Sequence, residues 1–386
     1  MTSYIEKNDC CGCTACASAC GQAAITMETD NEGFLYPSVD AVKCIHCGLC
    51  ERVCPIVQYD QLVSKVAEPT VYAAYHVDER VRKASSSGGV FTALCDHIFK
   101  LGGCVYGAVY DEQWKVIHVK AETVEEAIRF RGSKYVQSDV RGIFPQIKED
   151  LRSGRLVLFS GTPCQCQGLR GYLRKSYSNL YIIDIMCHGV PSPLIFAEYI
   201  KLIQKKAASS IRSINMKDKT LGWGRQSPRI CFANGKEWFN TLETSLWNYI
   251  FFSHYTARPA CYSCRFTNYK RPGDVTIGDY WGIEELYSDF YDKKGISFLF
   301  INSDRGKTLF DSIKWQLVYR SGNARQCGKN QHNLQAPITK PDKRDKFWHD
   351  YEHMGFLALC TKYFSYGVFN RMRRVASRLV HYIVKK

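Results

Sequence analysis

Nineteen cysteines occur in 386 residues, and nine of them precede residue 55. Their spacing is the first chemistry in the chain. Cys10, Cys13, Cys16 and Cys20 run C-x2-C-x2-C-x3-C. Cys44, Cys47, Cys50 and Cys54 repeat the run, and Pro55 follows. Three thiolates at i, i+3 and i+6 let a tight, glycine-containing loop wrap three corners of a 4Fe–4S cube. The fourth, at the start of the next helix, is out of reach of its own loop and binds the other cube. The spacing therefore assigns Cys10, Cys13, Cys16 and Cys54 to one cluster. It assigns Cys44, Cys47, Cys50 and Cys20 to a second. Zinc sites usually show two C-x2-C pairs or mixed Cys/His sets, which these matched runs do not resemble. Gly21 stands where the first run would carry proline, and His46, between two ligands, reads as a loop residue. Cys11 has no slot in the register and reads as a non-ligand.

Ten further cysteines lie downstream. Cys164 sits in "SGTPCQCQG" and Cys187 in "MCHGVPSP", each in a turn after an apolar strand. Cys261 and Cys264 form a C-x2-C pair. These four thiols suffice for a third cluster if the fold unites them. Buried, inert cysteine is the alternative. Cys95, Cys104, Cys166, Cys231, Cys327 and Cys360 read as core or surface thiols. The stretch "SSSGG", Ser85–Gly89, precedes a helix, where hydroxyls and exposed backbone suit either an anion or an ordinary cap. No GxGxxG or GxxxxGK[ST] stretch supports a standard dinucleotide or Walker site. No catalytic residue is assigned.

Around these residues the chain predicts alternating β and α elements. Ile25–Glu28 and Phe34–Val39 read as a hairpin about an Asn31–Gly33 turn, as a βαββαβ ferredoxin module requires. "TVYAAYH" reads as a strand. A helix follows Ser85–Gly89, with Val90, Phe91, Leu94, Ile98 and Leu101 on one face. "CVYGAVY" and "KVIHVKA" read as a strand pair, and "TVEEAIRF" starts a Thr-capped helix. Residues 155–175 and 180–206 each read strand, turn, helix, which argues for an α/β core. From about Ser213 to Ser253 the reading is β-rich. The expected fold is a ferredoxin module fused to an α/β core with a β-rich second half and a C-terminal helical tail. The expected divisions are residues 1–66, 67–300 and 301–386. The tail places Val368, Phe369, Met372, Val375, Leu379 and Ile383 on one face, with arginines and lysines largely elsewhere. It reads as a packed terminal helix or as a peripheral membrane contact.

Formal charge is +15 with a pI near 9. That suits nucleic acid, anionic lipid or an acidic protein. No helix-turn-helix, RNA-binding or basic-region pattern supports nucleic acid. No basic leader with an apolar run opens the chain, and no stretch of about 18 apolar residues is present. A cytoplasmic setting is expected, where clustered cysteines serve metal or redox chemistry.

Taken in order, "SSSGGVFTALC", "RGSKYVQS", "VLFSGTPCQCQGLRGYL", "IDIMCHGVPSP" and "CYSCRFTNYKRPGDVTIGDYWGIE" resemble the beta subunit of the deazaflavin (coenzyme factor 420) hydrogenase/dehydrogenase family. The likeness, with the ferredoxin module in front, spans roughly residues 1 to 300. It implies an FAD-binding core that holds its own 4Fe–4S cluster, with Cys164, Cys187, Cys261 and Cys264 as ligands. It also implies Ser86, Ser87, Gly88 and Gly89 as flavin-phosphate or ring contacts, with Lys134 and Thr162 in the same crevice. The expected activity is then an iron–sulfur flavoprotein oxidoreductase. Single electrons enter at the N-terminal clusters and leave the flavin in pairs. The expected donor is an acidic ferredoxin or flavodoxin, steered by the basic chain, or a partner redox subunit. The acceptor stays open between a deazaflavin coenzyme and a metabolite, such as one of polysaccharide synthesis. An electron-relay subunit with no substrate of its own is the competing expectation.

Overall fold

The computed structural model describes residues 5–62, 69–225 and 227–367. Thirteen strands occur in it. They are β1 (Ile25–Thr29), β2 (Leu35–Val39), β3 (Thr70–His76), β4 (Cys104–Tyr110), β5 (Val116–Ala121), β6 (Val157–Gly161) and β7 (Leu180–Ile185). After them come β8 (Ile211–Asp218), β9 (Ser227–Phe232), β10 (Glu237–Phe239), β11 (Val275–Asp279), β12 (Ser297–Ile301) and β13 (Leu317–Gly322). Eight form one mixed sheet in the order β13-β3-β12-β11-β7-β6-β4-β5. Its centre, β4, β6, β7 and β11, is parallel, and both edges are antiparallel. The sequence explains the difference. β6 (VLFSG) and β7 (LYIIDI) are apolar runs, as strands covered on both faces must be, and helices supply the crossovers between them. The helix Val90–Lys100 covers one face, burying Val90, Leu94 and Ile98 among Val105, Leu158 and Leu299. Leu101, read onto that face from its spacing, is exposed at the C-cap, where the helix ends.

The described residues 5–62 form the β1–β2 hairpin and the helices Ala15–Ala19, Leu49–Val53 and Tyr59–Leu62; the chain on either side of them, 1–4 and 63–68, lies outside the described residues. Two expectations change. The β-rich stretch holds only β8, β9 and β10 before the helix Leu242–Ser253, capped by Thr241. Its "LWNYIFF" run is apolar all round, so no helical period is visible in it. The division expected at 300 falls inside β12, and β13 pairs with β3 at the sheet edge. The segment beyond 300 thus completes the core. The basic tail helix, Val368 onward, lies outside the described residues.

The cysteine-rich module is clamped to the core from three sides. The helices Ala15–Ala19 and Leu49–Val53 pack on the helix Pro163–Leu173. Gly168 is required there, because a Cβ would stand 2.8 Å from Cys13 Cβ and Sγ. Glu32, in the hairpin turn, is buried against Arg344, whose Nη1 donates to Oε1 at 2.9 Å and whose Nη2 donates to Oε2. Arg258 is the third clamp. Its Nε donates to the Cys10 carbonyl at 2.6 Å, and its Nη2 to the Leu35 carbonyl at 2.9 Å. Its Nη1 donates to Gln137 Oε1 at 3.0 Å, and Gln137 Nε2 in turn holds the Cys11 carbonyl at 3.0 Å.

Replacing Arg258 with Met keeps bulk but leaves the Cys10 and Leu35 carbonyls buried without donors. A cost of about 3 kcal/mol is expected. Hydrogen exchange should read this as a roughly 100-fold loss of amide protection confined to residues 9–57, since about 1.4 kcal/mol is tenfold. Unchanged protection there would show that Arg258 does not hold the module.

Candidate redox site

Cys10, Cys13, Cys16 and Cys54 line one small buried cavity, together with Cys11, Thr14 and Met27. Cys54, the fourth cysteine of the second run, lines the same cavity as the cysteines of the first run. The other four lie farther out. Cys20 caps the helix Ala15–Ala19 and accepts from Ala24 N at 3.3 Å. Cys44 and Cys50 are half-buried neighbours, and Cys47 is exposed. His46 is exposed too, in a left-handed loop conformation with φ of 54°.

The four isolated cysteines of the core are brought together. Cys164 opens the helix Pro163–Leu173, just past the end of β6. Cys187 follows the end of β7. Cys261 and Cys264 lie on and after the short turn of helix Pro259–Ser263. All four line a second cavity of about 60 Å³. Cys11 lines it as a fifth thiol. Strand-end turns of an open α/β sheet are where such a crevice belongs. Burial pushes the Cys187 thiol up to about 12 and the Cys264 thiol up to about 11. The Cys164 thiol is also raised, first by its hydrogen bond with Cys11 and then by burial. Thiols held protonated this way bind iron by giving up their protons. Among the described residues no three His, Cys, Asp or Glu side chains converge on a single ion. The thiols stand around the cavity walls instead.

Three arginines line this cavity, and two of them, Arg258 and Arg271, are fully buried. Arg271 is paired with Asp184, both fully buried. Arg258 is 1% exposed, and among the described residues it forms no ion pair with a carboxylate. Burial works against its charge, but Cys10, Tyr36, Cys11 and Cys261 around it outweigh burial and keep it a cation. A buried cation set among thiols of two cavities fits anionic thiolate-bound clusters on either side. The donor set, sulfur throughout, fits iron–sulfur chemistry as well.

A third cavity, of about 580 Å³, adjoins the second and shares Cys187, Gly189, Val190 and Asn333 with it. This size takes a cofactor or a drug-sized ligand. Of the residues singled out from sequence, Ser86, Ser87, Gly89, Lys134 and Thr162 line it. Gly88 does not. It lies behind the wall, where a Cβ would strike the Ala74 carbonyl, and its N–H donates to Ser297 Oγ at 2.9 Å. Gly89 caps the helix Val90–Lys100 with φ of 91°, a conformation glycine adopts without strain. Thr162 N donates to Gln165 Oε1 at 3.0 Å, and Gln165 Nε2 donates to Ser138 Oγ at 2.9 Å. Lys134 donates to three carbonyls, those of Arg129, Phe130 and Arg131, at 2.8 to 3.0 Å. Burial lowers its ammonium to about 7.

Several wall residues carry no signal in the sequence. Lys217 is buried in an ion pair with Asp279. Burial opposes its charge, but Asp279 and Tyr135 hold its pKa above the usual lysine range. Behind the wall, Trp223 Nε1 donates to Asp279 Oδ1 at 3.0 Å, and its ring stacks on the wall residue Trp281 at 5.1 Å. His188 meets Asn333 Oδ1 at 2.8 Å and His254 Nε2 at 3.1 Å. Arg258 could not have been found either, since nothing marks a lone arginine three residues before Cys261.

Comparison with known proteins gives three matches to families. Residues 9–57 match a 4Fe–4S dicluster domain. Residues 71–144 and 154–324 match the N-terminal and C-terminal parts of the coenzyme F420 hydrogenase/dehydrogenase beta subunit. A subunit of the F(420)H(2) dehydrogenase of Methanosarcina mazei is 22% identical over 330 residues, covering 81% of this chain and 85% of that one. Coenzyme F420-dependent sulfite reductase of Methanocaldococcus jannaschii is 24% identical over 220 residues, covering 56% of this chain but only 33% of its own. The solved F420-reducing [NiFe] hydrogenase complex of Methanosarcina barkeri contains a chain 18% identical, with a TM-score of 0.47 over 76% of this chain and 95% of that one. The two-part match spans the core sheet and all four core cysteines, and with the dicluster match in front of it the chain belongs to the family of coenzyme F420 hydrogenase/dehydrogenase beta subunits.

Proposed function

We propose that the chain is an iron–sulfur flavoprotein oxidoreductase component that connects a one-electron donor to a two-electron acceptor. The carrying observation is the continuity of the three cavities. Cys11 and Ile56 belong to both the first and the second, and Cys187 belongs to both the second and the third. In this reading Cys44, Cys47, Cys50 and Cys20 hold the outer cluster, at the exposed end. Cys10, Cys13, Cys16 and Cys54 hold the buried one. Cys164, Cys187, Cys261 and Cys264 hold the third, and the large cavity holds FAD. Bound there, the flavin would supply the conversion between single electrons and a hydride. The protein supplies the order of the sites and walls that exclude water between them.

The relatives' names supply the partner class. One is a subunit of a dehydrogenase, which favours a partner redox subunit here. The charge distribution favours the same choice. Residues 1–57 hold three Lys and Arg against seven Asp and Glu, so the basic excess lies wholly in the remainder. An acidic carrier protein would be repelled by the module that carries the exposed Cys47. The acceptor is a deazaflavin coenzyme or a metabolite. The cytoplasmic setting and a membrane contact by the tail belong to the same proposal. No helix among the described residues is long and apolar enough to cross a membrane.

Anaerobic reconstitution with iron, sulfide and FAD is expected to give about twelve irons and about one flavin per chain, at four irons per cube. About eight irons would remove the third cluster from the scheme, and no bound flavin would remove the cofactor. Substitution resolves the register. Cys10→Ser is expected to lose about four irons, and Cys261→Ser a different four. Cys11→Ser is expected to keep all of them, because Cys11 lines two cavities without a place in either set. Loss of a cube from Cys11→Ser would overturn the assignment of Cys10 or of Cys164.

A further inference from the structure

Among the described residues, one buried cation near the cysteines is left without a counter-charge. Arg258 is 1% exposed, whereas Arg271, equally buried, is neutralised by Asp184. Arg265 lines the same cavity but is exposed to solvent. The acids near Arg258 are met elsewhere: Asp30 by Lys7 at 2.6 Å, Glu32 by Arg344, and Asp9 by solvent. The guanidinium also touches a cluster-forming cysteine directly. Its Nη2 donates to Cys10 Sγ at 3.7 Å as well as to the Leu35 carbonyl at 2.9 Å. The cavity around Cys10, Cys13, Cys16 and Cys54 is closed, with each of these residues at most 7% exposed. An added electron is poorly solvated in such a place, so burial by itself opposes reduction. The outer four are set differently. Cys47 is exposed, and Cys20 accepts from a neutral donor, the Ala24 N–H, at 3.3 Å.

We propose that Arg258 sets the reduction potential of the buried cluster held by Cys10, Cys13, Cys16 and Cys54, offsetting the dryness of its cavity. This rests on the reading of those cysteines as cluster ligands and adds which residue makes the cluster reducible. Gain of an electron makes a cluster more negative. A fixed cation donating to a ligand sulfur stabilises that state more than the oxidised one. Arg258 therefore raises the potential, and its removal lowers it. The two module clusters have the same ligand set, four cysteines each, so a difference between them comes from surroundings of this kind. The clamping role of Arg258 acts with the opposite sign. A module that merely loosened would admit water to the cavity, and water solvates the added charge and raises the potential. The direction of the shift thus separates the two roles.

The test uses the full-length, anaerobically reconstituted protein in a potentiometric titration read by electron paramagnetic resonance. Cys10→Ser and Cys44→Ser assign the buried and outer signals. Arg258→Gln, neutral but still a donor, is expected to lower the reduced-to-oxidised ratio of the buried cluster about 10- to 30-fold at fixed potential. Tenfold corresponds to about 59 mV for one electron. The outer signal is expected to stay in place. Arg258→Lys, which keeps the charge, is expected to remain within about threefold of wild type. In wild type labelled with guanidino-15N arginine, the reduced buried cluster is expected to show a 15N hyperfine coupling that the outer signal lacks. A potential unchanged or raised in Arg258→Gln overturns the inference. So do an equal shift of the outer signal, a fall in Arg258→Lys as large as in Arg258→Gln, and absence of the coupling. If Arg258→Gln fails to fold or load iron, the coupling in wild type decides alone. Iron counts separate the two levels of failure. A wild type without the cube that Cys10→Ser removes overturns the ligand reading itself, whereas a full iron count with an unmoved potential overturns this inference alone.

Discussion

A guanidinium buried without a carboxylate partner governs the whole arrangement. Arg258 sits where the cysteine-rich module, the core thiols and β2 meet. Taking a charge out of water costs several kcal/mol unless something compensates. Carbonyls of Cys10 and Leu35 satisfy its protons, and the faces of Tyr36 and Phe34 lie against it, but neither neutralises the charge. The groups that could are the thiols around it, and they are anionic only as ligands. With the proposed clusters bound, docking of the module and loading of the clusters would be one coupled event. The glycine at position 12 belongs to the same constraint. It adopts φ of 69°, and a Cβ there would stand 2.7 Å from Arg258 Nη1.

The helix Pro163–Leu173 translates that constraint into distances. Its first turn carries Cys164 to the core cavity, and Gln165 ties Thr162 to Ser138 beneath the large one. One turn later Gly168 admits Cys13 of the module. Cys166 faces the other way, donating to the Ile183 carbonyl at 3.5 Å as a plain core thiol. A single rigid element thus fixes the spacing of all three cavities. Rigid elements hold a site more accurately than loops do. The short capping stretch Thr162–Gln165 is where the sheet, the cavity walls and the module share residues.

Local chemistry was legible in the sequence and long-range placement was not. The cysteine runs declared their register because cube geometry fixes the spacing. The helix after Ser85–Gly89 was legible because its apolar period is clean, and the strands β3 to β7 because they are short apolar runs bounded by turns. The helix Leu242–Ser253 was not, since its aromatic run hides the period. Cys11 has no slot in the runs, and its place between two cavities, which depends on contacts with Cys13 and with Cys164 more than 150 residues away, could not be read from spacing. Arg258 and Lys217 mean nothing until the sheet brings their partners to them. Each is paired, or left unpaired, by residues from a different part of the chain.

Burial and charge also change along the row of sites. The outer thiols are half-buried or exposed, the inner ones are enclosed, and the large cavity is walled by Lys134 and Lys217 as well as apolar residues. Added electrons are stabilised where cations are close and water is far, because the effective dielectric there is low. The acidic module at the outer end gives the opposite setting, with negative charge and solvent around its cysteines. The large cavity is dry without being strongly positive, since Asp279 neutralises Lys217 on its wall and burial lowers Lys134 to about 7. The contrast along the chain is therefore one of solvent and of the module's negative charge, and it leaves the direction of transfer to the potentials of the groups bound.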